Sequence, residues 1–559
     1  MTAEPTWAWA ALSVLAALPW ARRRWQLSRA KHRSLAGHSR MAKRFARLVP
    51  GYSLGEQRFF GADGADPSTQ DLRRAGFFRL SQHLKTAAPQ TLALTEQARE
   101  GLSDLQLTGR YRVPFQFSDM VRQHLPLGAF WAHAEGVHLE DLDGNRFCDL
   151  TGSYGVNVLG VDAYKACMAE GANLGAALGP VLGGYHPCVA DNVARLRRLS
   201  GLDEVSFHMS GTEAVMQAVR LARYHTGRRH VVRFTGAYHG WWEDVQPGPG
   251  NPLPPRETYT LADMSDASLK VLATRKDIAC VLVNPLQALH PNRNAPGDST
   301  LVDGSRTAAF DRAAYTAWLQ RLREVCTAAG VVLILDEVFV GFRLAQGGAQ
   351  AYFGVQADMV CYGKTLGGGF PVGVVCGRAA LMRRFRTDKP ADVCFARGTF
   401  NAHPYVMGAM NAFLRLLDQP AVQALYQDLD TRWARHAQAF NGALEAAGAP
   451  VRVAALSSIW TVCYTQPSRY HWMLQYYLRE QGVALSWVGT GRLVFGLNHS
   501  DADMADVLAR WVRACQRMQA DGWWSLPQGL GQQGIRRQVL REMWQAWRQR
   551  RRGVAPVVG

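Results

Sequence analysis

No run of eighteen or more apolar residues occurs in the 559-residue chain, which excludes a polytopic membrane protein. No Cys-x-x-Cys pair occurs among the ten cysteines, and most of them sit in apolar runs such as Ala279-Cys280-Val281. That excludes a disulfide framework or a cysteine-held zinc site and predicts buried thiols in a reducing compartment, with no metal centre. Charged residues are only 19% of the chain against 48% apolar, so wholesale disorder is excluded and a sizeable core is available. Internal repeats and low-complexity segments are missing too. Acid is absent from residues 21–47, which hold ten Arg or Lys, and residues 536–552 hold seven Arg against one Glu. These two stretches carry most of the net charge of +18, leaving only +2 for the rest. An enzyme of nucleic acids carries its basic residues on the folded body. No nucleic-acid partner is therefore expected, and basic ends fit an anionic surface or plain solvation.

Residues 6–20 are apolar, with three tryptophans, and Arg22, Arg23 and Arg24 follow at once. A secretory signal has its positive charge ahead of the apolar part, whereas Glu4 precedes this one. Such a segment rises about 22 Å as a helix, short of a hydrocarbon core of about 30 Å. Three placements follow: a short or tilted anchor that keeps the body on the cytoplasmic side, a helix lying in the interface with tryptophans at headgroup level, or a helix packed on the body or a partner chain. The expectation is a cytoplasmic protein in contact with a membrane surface through residues 6–47.

Six segments are expected: an apolar and basic extension (1–50), a linker and helical region (51–120), the N-terminal part of a small domain with a pocket wall (121–180), a large domain (181–415), a smaller α+β domain (416–525) and a basic C-terminal helix and tail (526–559). Within the linker, 50–70 is rich in Gly, Asp and Ser. Strands predicted at 205–209, 230–234, 279–284, 331–335, 359–362 and 372–376 alternate with helical stretches. Runs such as Val331-Val332-Leu333-Ile334-Leu335 predict strands buried on both faces, hence a mostly parallel sheet of an α/β fold. Further strands are predicted at 459–464 and 492–496, and a pair of short strands around the Asp143-Gly144 turn.

Three loops that follow strands carry chemistry. Ser210-Gly211-Thr212-Glu213-Ala214 opens a helix whose apolar face is Ala214, Val215, Ala218, Val219 and Ala222. Free backbone N–H groups at such a start suit a phosphate, although Ser and Thr there are also ordinary caps. Asp336 ends a buried strand at the edge where open α/β sheets bind ligands, and it needs a cationic partner. Lys364 sits in the turn Gly363-Lys364-Thr365-Leu366-Gly367-Gly368-Gly369. Its amine becomes nucleophilic if its pKa is lowered, whereas a lysine in such a turn is by itself an ordinary surface residue. Together, a phosphate cradle, a buried Asp and a glycine-flanked Lys are what a pyridoxal 5′-phosphate site requires. The lysine forms the Schiff base and the carboxylate keeps the pyridine nitrogen protonated.

The sequence resembles the class III aminotransferases of fold type I, and within them the glutamate-1-semialdehyde aminomutase branch. The matching motifs are SGTEA at 210–214 followed by Arg220-Leu221-Ala222-Arg223, GAYHG at 236–240, LDEV at 335–338, GKTLGGG at 363–369 and GTFNAHP at 398–404. The resemblance covers about residues 120–515. It implies that Lys364 holds the cofactor and moves the substrate proton, and that Asp336 partners the pyridine nitrogen. It places Ser210, Gly211 and Thr212 at the phosphate, Tyr238 and His239 beside the ring with Tyr238 stacked on it, and Val338 on the ring's other face. Thr399 is implied to reach the phosphate from the neighbouring subunit of a homodimer. Where the family has Glu-Pro, this chain has Asn284-Pro285, and Gln287 sits where many relatives contact the cofactor's phenolic oxygen. Gly152-Ser153-Tyr154-Gly155 resembles the Gly-Ser-Trp-Gly stretch that walls the substrate pocket. Ser153, Tyr154, Asn284 and Gln287 are therefore the candidate substrate residues, with extra residues at 161–180 expected near the entrance.

The implied activity is amino transfer between a small-molecule donor and a carbonyl acceptor. Its versions are an intermolecular aminotransferase, a true glutamate-1-semialdehyde 2,1-aminomutase that keeps the nitrogen in one molecule, and a transaminase of lipid-like aldehydes or ketones. A non-catalytic scaffold is disfavoured because Lys364 and Asp336 are both present. A protein that acts chiefly through its basic tails is disfavoured by the near-neutral body.

Overall fold

Aliphatic runs at the carboxyl side of each helical stretch set the architecture. The computed structural model describes residues 6–32, 38–253, 255–289, 308–486 and 492–552, with side chains from residue 15 onward. Its strands are β1 (His133–Glu135), β2 (His138–Glu140), β3 (Arg146–Asp149), β4 (Glu204–His208), β5 (His230–Phe234), β6 (Thr258–Leu261), β7 (Ile278–Val283), β8 (Val332–Asp336), β9 (Met359–Gly363), β10 (Gly373–Gly377), β11 (Val451–Leu456), β12 (Ile459–Tyr464), β13 (Val483–Ala484) and β14 (Arg492–Val494). The central sheet has the order β4-β10-β9-β8-β7-β5-β6. Only β10 runs antiparallel to its neighbours; the pairings of β9 with β8, β8 with β7, β7 with β5 and β5 with β6 are parallel. Every residue of β7, β8, β9 and β10 is buried, as strands covered by helices on both faces require. The helix Gly211–Thr226 buries Ala214, Val215, Ala218, Val219 and Ala222, the face its sequence spacing predicts.

The strands expected from aliphatic runs are present within one or two residues. β6 and β11 were not anticipated, because each is an edge strand with a mixed, only partly buried pattern. All ten cysteines are free and nine are buried.

Two expectations about the N-terminal region change. Residues 50–70 do not form an open linker: the helix Glu56–Gly61 buries Phe59 and Phe60. Beside it Arg73, on the helix Pro67–Ala87, pairs with Asp63 at 2.8 and 2.9 Å, both side chains fully buried. The same guanidinium donates to the carbonyls of Phe60, Gly522 and Ser525, so it joins the N-terminal helices to the chain's last third. The Gly, Asp and Ser content of 50–70 serves caps and this ion pair. The apolar N-terminal segment forms part of the helix Thr6–Ala30, and Ala30 is buried where its carbonyl accepts from the Ala262 N–H at 2.9 Å. Packing on the body is thus the placement seen at that helix's end. Among the described residues no helix is long and apolar enough to cross a membrane, since arginines interrupt this one.

Removing Asp63 strands a buried guanidinium. Asp63→Ala should cost about 3–5 kcal/mol in chemical denaturation, and a loss below about 1 kcal/mol would contradict the structural role of this pair.

Candidate active site

Because β4 and β9 both run antiparallel to β10, the carboxyl ends of β4, β5, β7, β8 and β9 reach one edge of the sheet. Open α/β sheets bind ligands at that edge. Ser210 caps the helix after β4, its Oγ accepting from the Glu213 N–H at 3.2 Å. A Cβ on Gly211 would lie 2.6 Å from Val338 Cγ1, and one on Gly240 would lie 2.6 Å from Thr212 Oγ1. The SGTEA, GAYHG and LDEV motifs therefore meet without space for larger residues.

Asp336, the last residue of β8, is 4% exposed. Its Oδ2 lies 2.8 Å from His239 Nδ1, and its Oδ1 accepts from the Val338 N–H at 3.2 Å. The ring of His239 is buried, and its Nε2 has no hydrogen-bond partner among the described residues. Lys364 follows β9 with a φ of 47°, a left-handed conformation that costs an L-residue about 1–2 kcal/mol. Burial lowers its pKa, and the negative charge of Asp336 opposes that shift. Its Nζ lies 5.7 Å from the centre of the Phe339 ring. A Cβ on Gly155 would fall 2.8 Å from that ring and 3.4 Å from Lys364 Cδ, so the Gly152–Gly155 turn closes directly over the lysine. Ser153 and Tyr154 in that turn also have left-handed φ values, 46° and 56°. Backbone strain on both sides of one amine is the kind of cost that a functional site retains.

The other sequence-predicted residues are distributed around this centre. Tyr238 is half-exposed on the loop after β5. Asn284 donates to the Tyr238 carbonyl at 3.2 Å and accepts from the Leu286 N–H at 3.1 Å, so its amide braces the Tyr238 loop. Gln287 is buried and donates to the Thr235 carbonyl at 2.6 Å. Ser153 accepts from the Asn157 side chain at 3.2 Å, and Tyr154 is exposed. The residues expected at the entrance form the helix Val161–Gly175, which backs the lysine loop: the Tyr164 hydroxyl bonds that of Thr365. Thr399 is exposed on a turn.

Sequence reasoning missed three residues. Phe339 packs beside Lys364. Arg492, which opens β14, lies with Cζ 5.9 Å from the centre of the same Phe339 ring. Arg343 is fully buried and donates to Ser458 Oγ at 2.9 Å, to the Phe495 carbonyl, and to the Gly155 carbonyl at 3.4 Å. Burial without a carboxylate partner pushes its pKa down to about 10. A basic residue just past LDEV was the available signal for Arg343; nothing local marks Arg492, which is brought in by the fold.

A buried carboxylate braced by histidine, a buried amine of lowered pKa and a helix start with free N–H groups fit pyridoxal phosphate. Gly211 and Thr212 would hold its phosphate, Asp336 its pyridine nitrogen, and Tyr238 and Val338 its faces. The family model Aminotransferase class-III matches residues 120–245 and 260–514. The chain belongs to this family. A glutamate-1-semialdehyde 2,1-aminomutase of Nitratidesulfovibrio vulgaris is 34% identical over 416 residues, covering 68% of this chain and 89% of that one. One from Citrifermentans bemidjiense is 30% identical, covering 71% and 94%. Among solved structures, an omega-transaminase from Sphaerobacter thermophilus superposes with a TM-score of 0.62 at 25% identity, covering 77% and 98%. A glutamate-1-semialdehyde aminomutase of Pseudomonas aeruginosa shares the fold with a TM-score of 0.63 at 18% identity, covering 80% and 99%. The fold expected, type I with a mostly parallel sheet, is the one observed in this class III aminotransferase.

Two outcomes follow. Asp336→Ala should lower turnover by about two to three orders of magnitude while the protein stays folded, and near-normal turnover would reject its role. The neighbouring Glu337 is buried, which raises its pKa to about 7 although it accepts from the Ala349 and Gln350 N–H groups. Between its ordinary value of 4.5 and about 7 only the unfolded chain ionises this carboxyl. Wild-type stability should therefore fall relative to Glu337→Gln by about 3 kcal/mol across that window and stay level above it. A difference that does not change with pH in denaturation curves would contradict this.

Proposed function

We propose that the protein transfers amino groups with pyridoxal 5′-phosphate bound at this sheet edge, by chemistry like that of the glutamate-1-semialdehyde aminomutases. The observation that carries the reading is the convergence of Lys364, Asp336 and the Gly211 helix start, which lie far apart in sequence. When bound, the cofactor supplies an electron sink for the substrate carbon. The chain's own groups do the rest. The helix start binds the phosphate dianion through backbone N–H groups and the helix dipole. Asp336, oriented by His239, keeps a proton on the ring nitrogen. Lys364 Nζ, depressed in pKa by burial, would take the proton from the substrate Cα and deliver it to the cofactor carbon on the other side of the amino nitrogen. Phe339 and the Gly152–Gly155 turn exclude water from that transfer. Arg492, beyond Phe339, is placed to receive a substrate carboxylate.

The working unit in this reading is a homodimer in which the partner's Thr399 completes the phosphate site. The exposed Val181, Tyr185, Phe395 and Phe400 around that turn are the apolar surface such a dimer would cover. The basic segment 21–47 is read as meeting an anionic membrane face. A second reading, a transaminase with separate donor and acceptor, is favoured by Asn284: a neutral amide engaged with backbone stands where the family places a carboxylate.

The deciding experiment supplies glutamate-1-semialdehyde without any amino donor and measures 5-aminolevulinate. Formation at enzymatic turnover is the expected result. Cofactor-loaded enzyme that makes none would overturn the aminomutase reading and leave the transaminase of apolar carbonyl acceptors.

A further inference from the structure

Exposed apolar and basic residues that neither the core nor the site uses lie on the helix Thr6–Ala30 and on two further helices outside the family-matched residues, Ser39–Leu48 ahead of them and Gln532–Arg551 behind. On the first of these two, Met41, Phe45 and Leu48 recur at i, i+4 and i+7 and are 56%, 49% and 75% exposed. On the second, Leu540, Trp544 and Trp547 recur at the same spacing and are 60%, 54% and 42% exposed. That spacing puts each trio in one stripe along its helix.

The opposite faces are fixed by contact. Ser39 and Ala42 are buried, and Ser39 Oγ donates to the Gln246 carbonyl at 2.7 Å. Ile535 is buried, and Glu542 accepts from Arg469 at 2.7 and 2.8 Å and from the Tyr52 hydroxyl at 3.2 Å. Both helices are therefore seated, with their apolar stripes turned outward. The exposed Arg40, Arg44 and Arg47 flank the first stripe with no acid on that helix, while Lys43 turns to the body and donates to the Pro249 carbonyl at 3.1 Å. On the second, Arg548 stacks on Trp544 at 4.3 Å and Arg551 on Trp547 at 4.2 Å. The helices adjoin: Arg550 Nη2 lies 3.8 Å from where a Cβ on Gly51, three residues past Leu48, would stand.

We propose that these two helices form one docking surface for an anionic lipid bilayer. Apolar stripes edged by arginine suit the boundary between acyl chains and phosphate headgroups, with tryptophan at that level. A nucleic acid would satisfy the arginines and offer nothing to Leu48, Leu540 or Met41. A second copy across a two-fold axis would set one basic helix against its like. The surface extends the membrane contact read for residues 21–47 to the other end of the chain, and it does not depend on the amino-transfer reading.

The test sediments full-length, cofactor-loaded enzyme with vesicles of phosphatidylcholine alone and of phosphatidylcholine with phosphatidylglycerol. The variants are Met41→Ser/Phe45→Ser/Leu48→Ser, Leu540→Ser/Trp544→Ser/Trp547→Ser, and Trp544→Ser alone. All substitutions are at exposed positions, so each variant should keep the wild-type melting temperature and cofactor absorbance. Wild type should bind the anionic vesicles only, more weakly in high salt, and each triple variant should bind about tenfold less. The single variant should fall between. Equal binding by wild type and the C-terminal triple would overturn the two-helix surface, and loss in the N-terminal triple alone would leave only the contact of 21–47. Absence of wild-type binding to anionic vesicles would overturn both, and equal binding of duplex DNA by wild type and both triples in place of vesicle binding would assign the arginines to nucleic acid.

Discussion

A carboxylate on the last residue of a strand buried on both faces is costly unless positive charge meets it, and Asp336 is in that position. His239, on the loop after β5 two strands along the sheet edge, supplies one hydrogen-bond partner. The protonated ring nitrogen of bound pyridoxal phosphate would meet the remaining demand. That requirement fixes much else: which edge of the sheet is functional, why GAYHG must approach SGTEA closely enough to need Gly240, and why Val338 must lie against Gly211. It also sets the state of Lys364. Burial alone would lower its pKa further, and the Asp336 charge limits that fall.

Around this charge the backbone is held in forms it would not adopt alone. Lys364, Ser153 and Tyr154 all have left-handed φ values, and they belong to two segments that touch through Gly155 and the lysine side chain. Arg343 holds one of these segments by its Gly155 carbonyl and binds the β14 side through Phe495. A fully buried guanidinium without a carboxylate is itself costly, so its hydrogen bonds to three separate segments define what it does. It keeps the pocket wall, the strand that carries Arg492 and the end of the LDEV loop in register.

Much of this was legible in the sequence because it is local. Asp336 and Lys364 each follow a run of aliphatic residues, and the Gly211 helix start carries its own cap and apolar spacing. The residues that were not legible act across distance. Arg492 reaches Phe339 only because β14 pairs with β12, and Arg73 finds Asp63 only after the Glu56–Gly61 helix turns back. In the sequence, that helix is hidden among Gly, Asp and Ser, which read as linker. Asn284 was legible as a departure from a family pattern and Gln287 as a match to it, but the backbone groups they engage could not be read from spacing.

The central claim is that Lys364 is the residue that holds the cofactor at this edge. Its most direct test is borohydride reduction of the cofactor-loaded enzyme, followed by proteolysis and mass spectrometry. The account predicts one pyridoxyl group per chain, on the peptide that contains Lys364. A pyridoxyl group on any other lysine, with Lys364 unmodified, would contradict it.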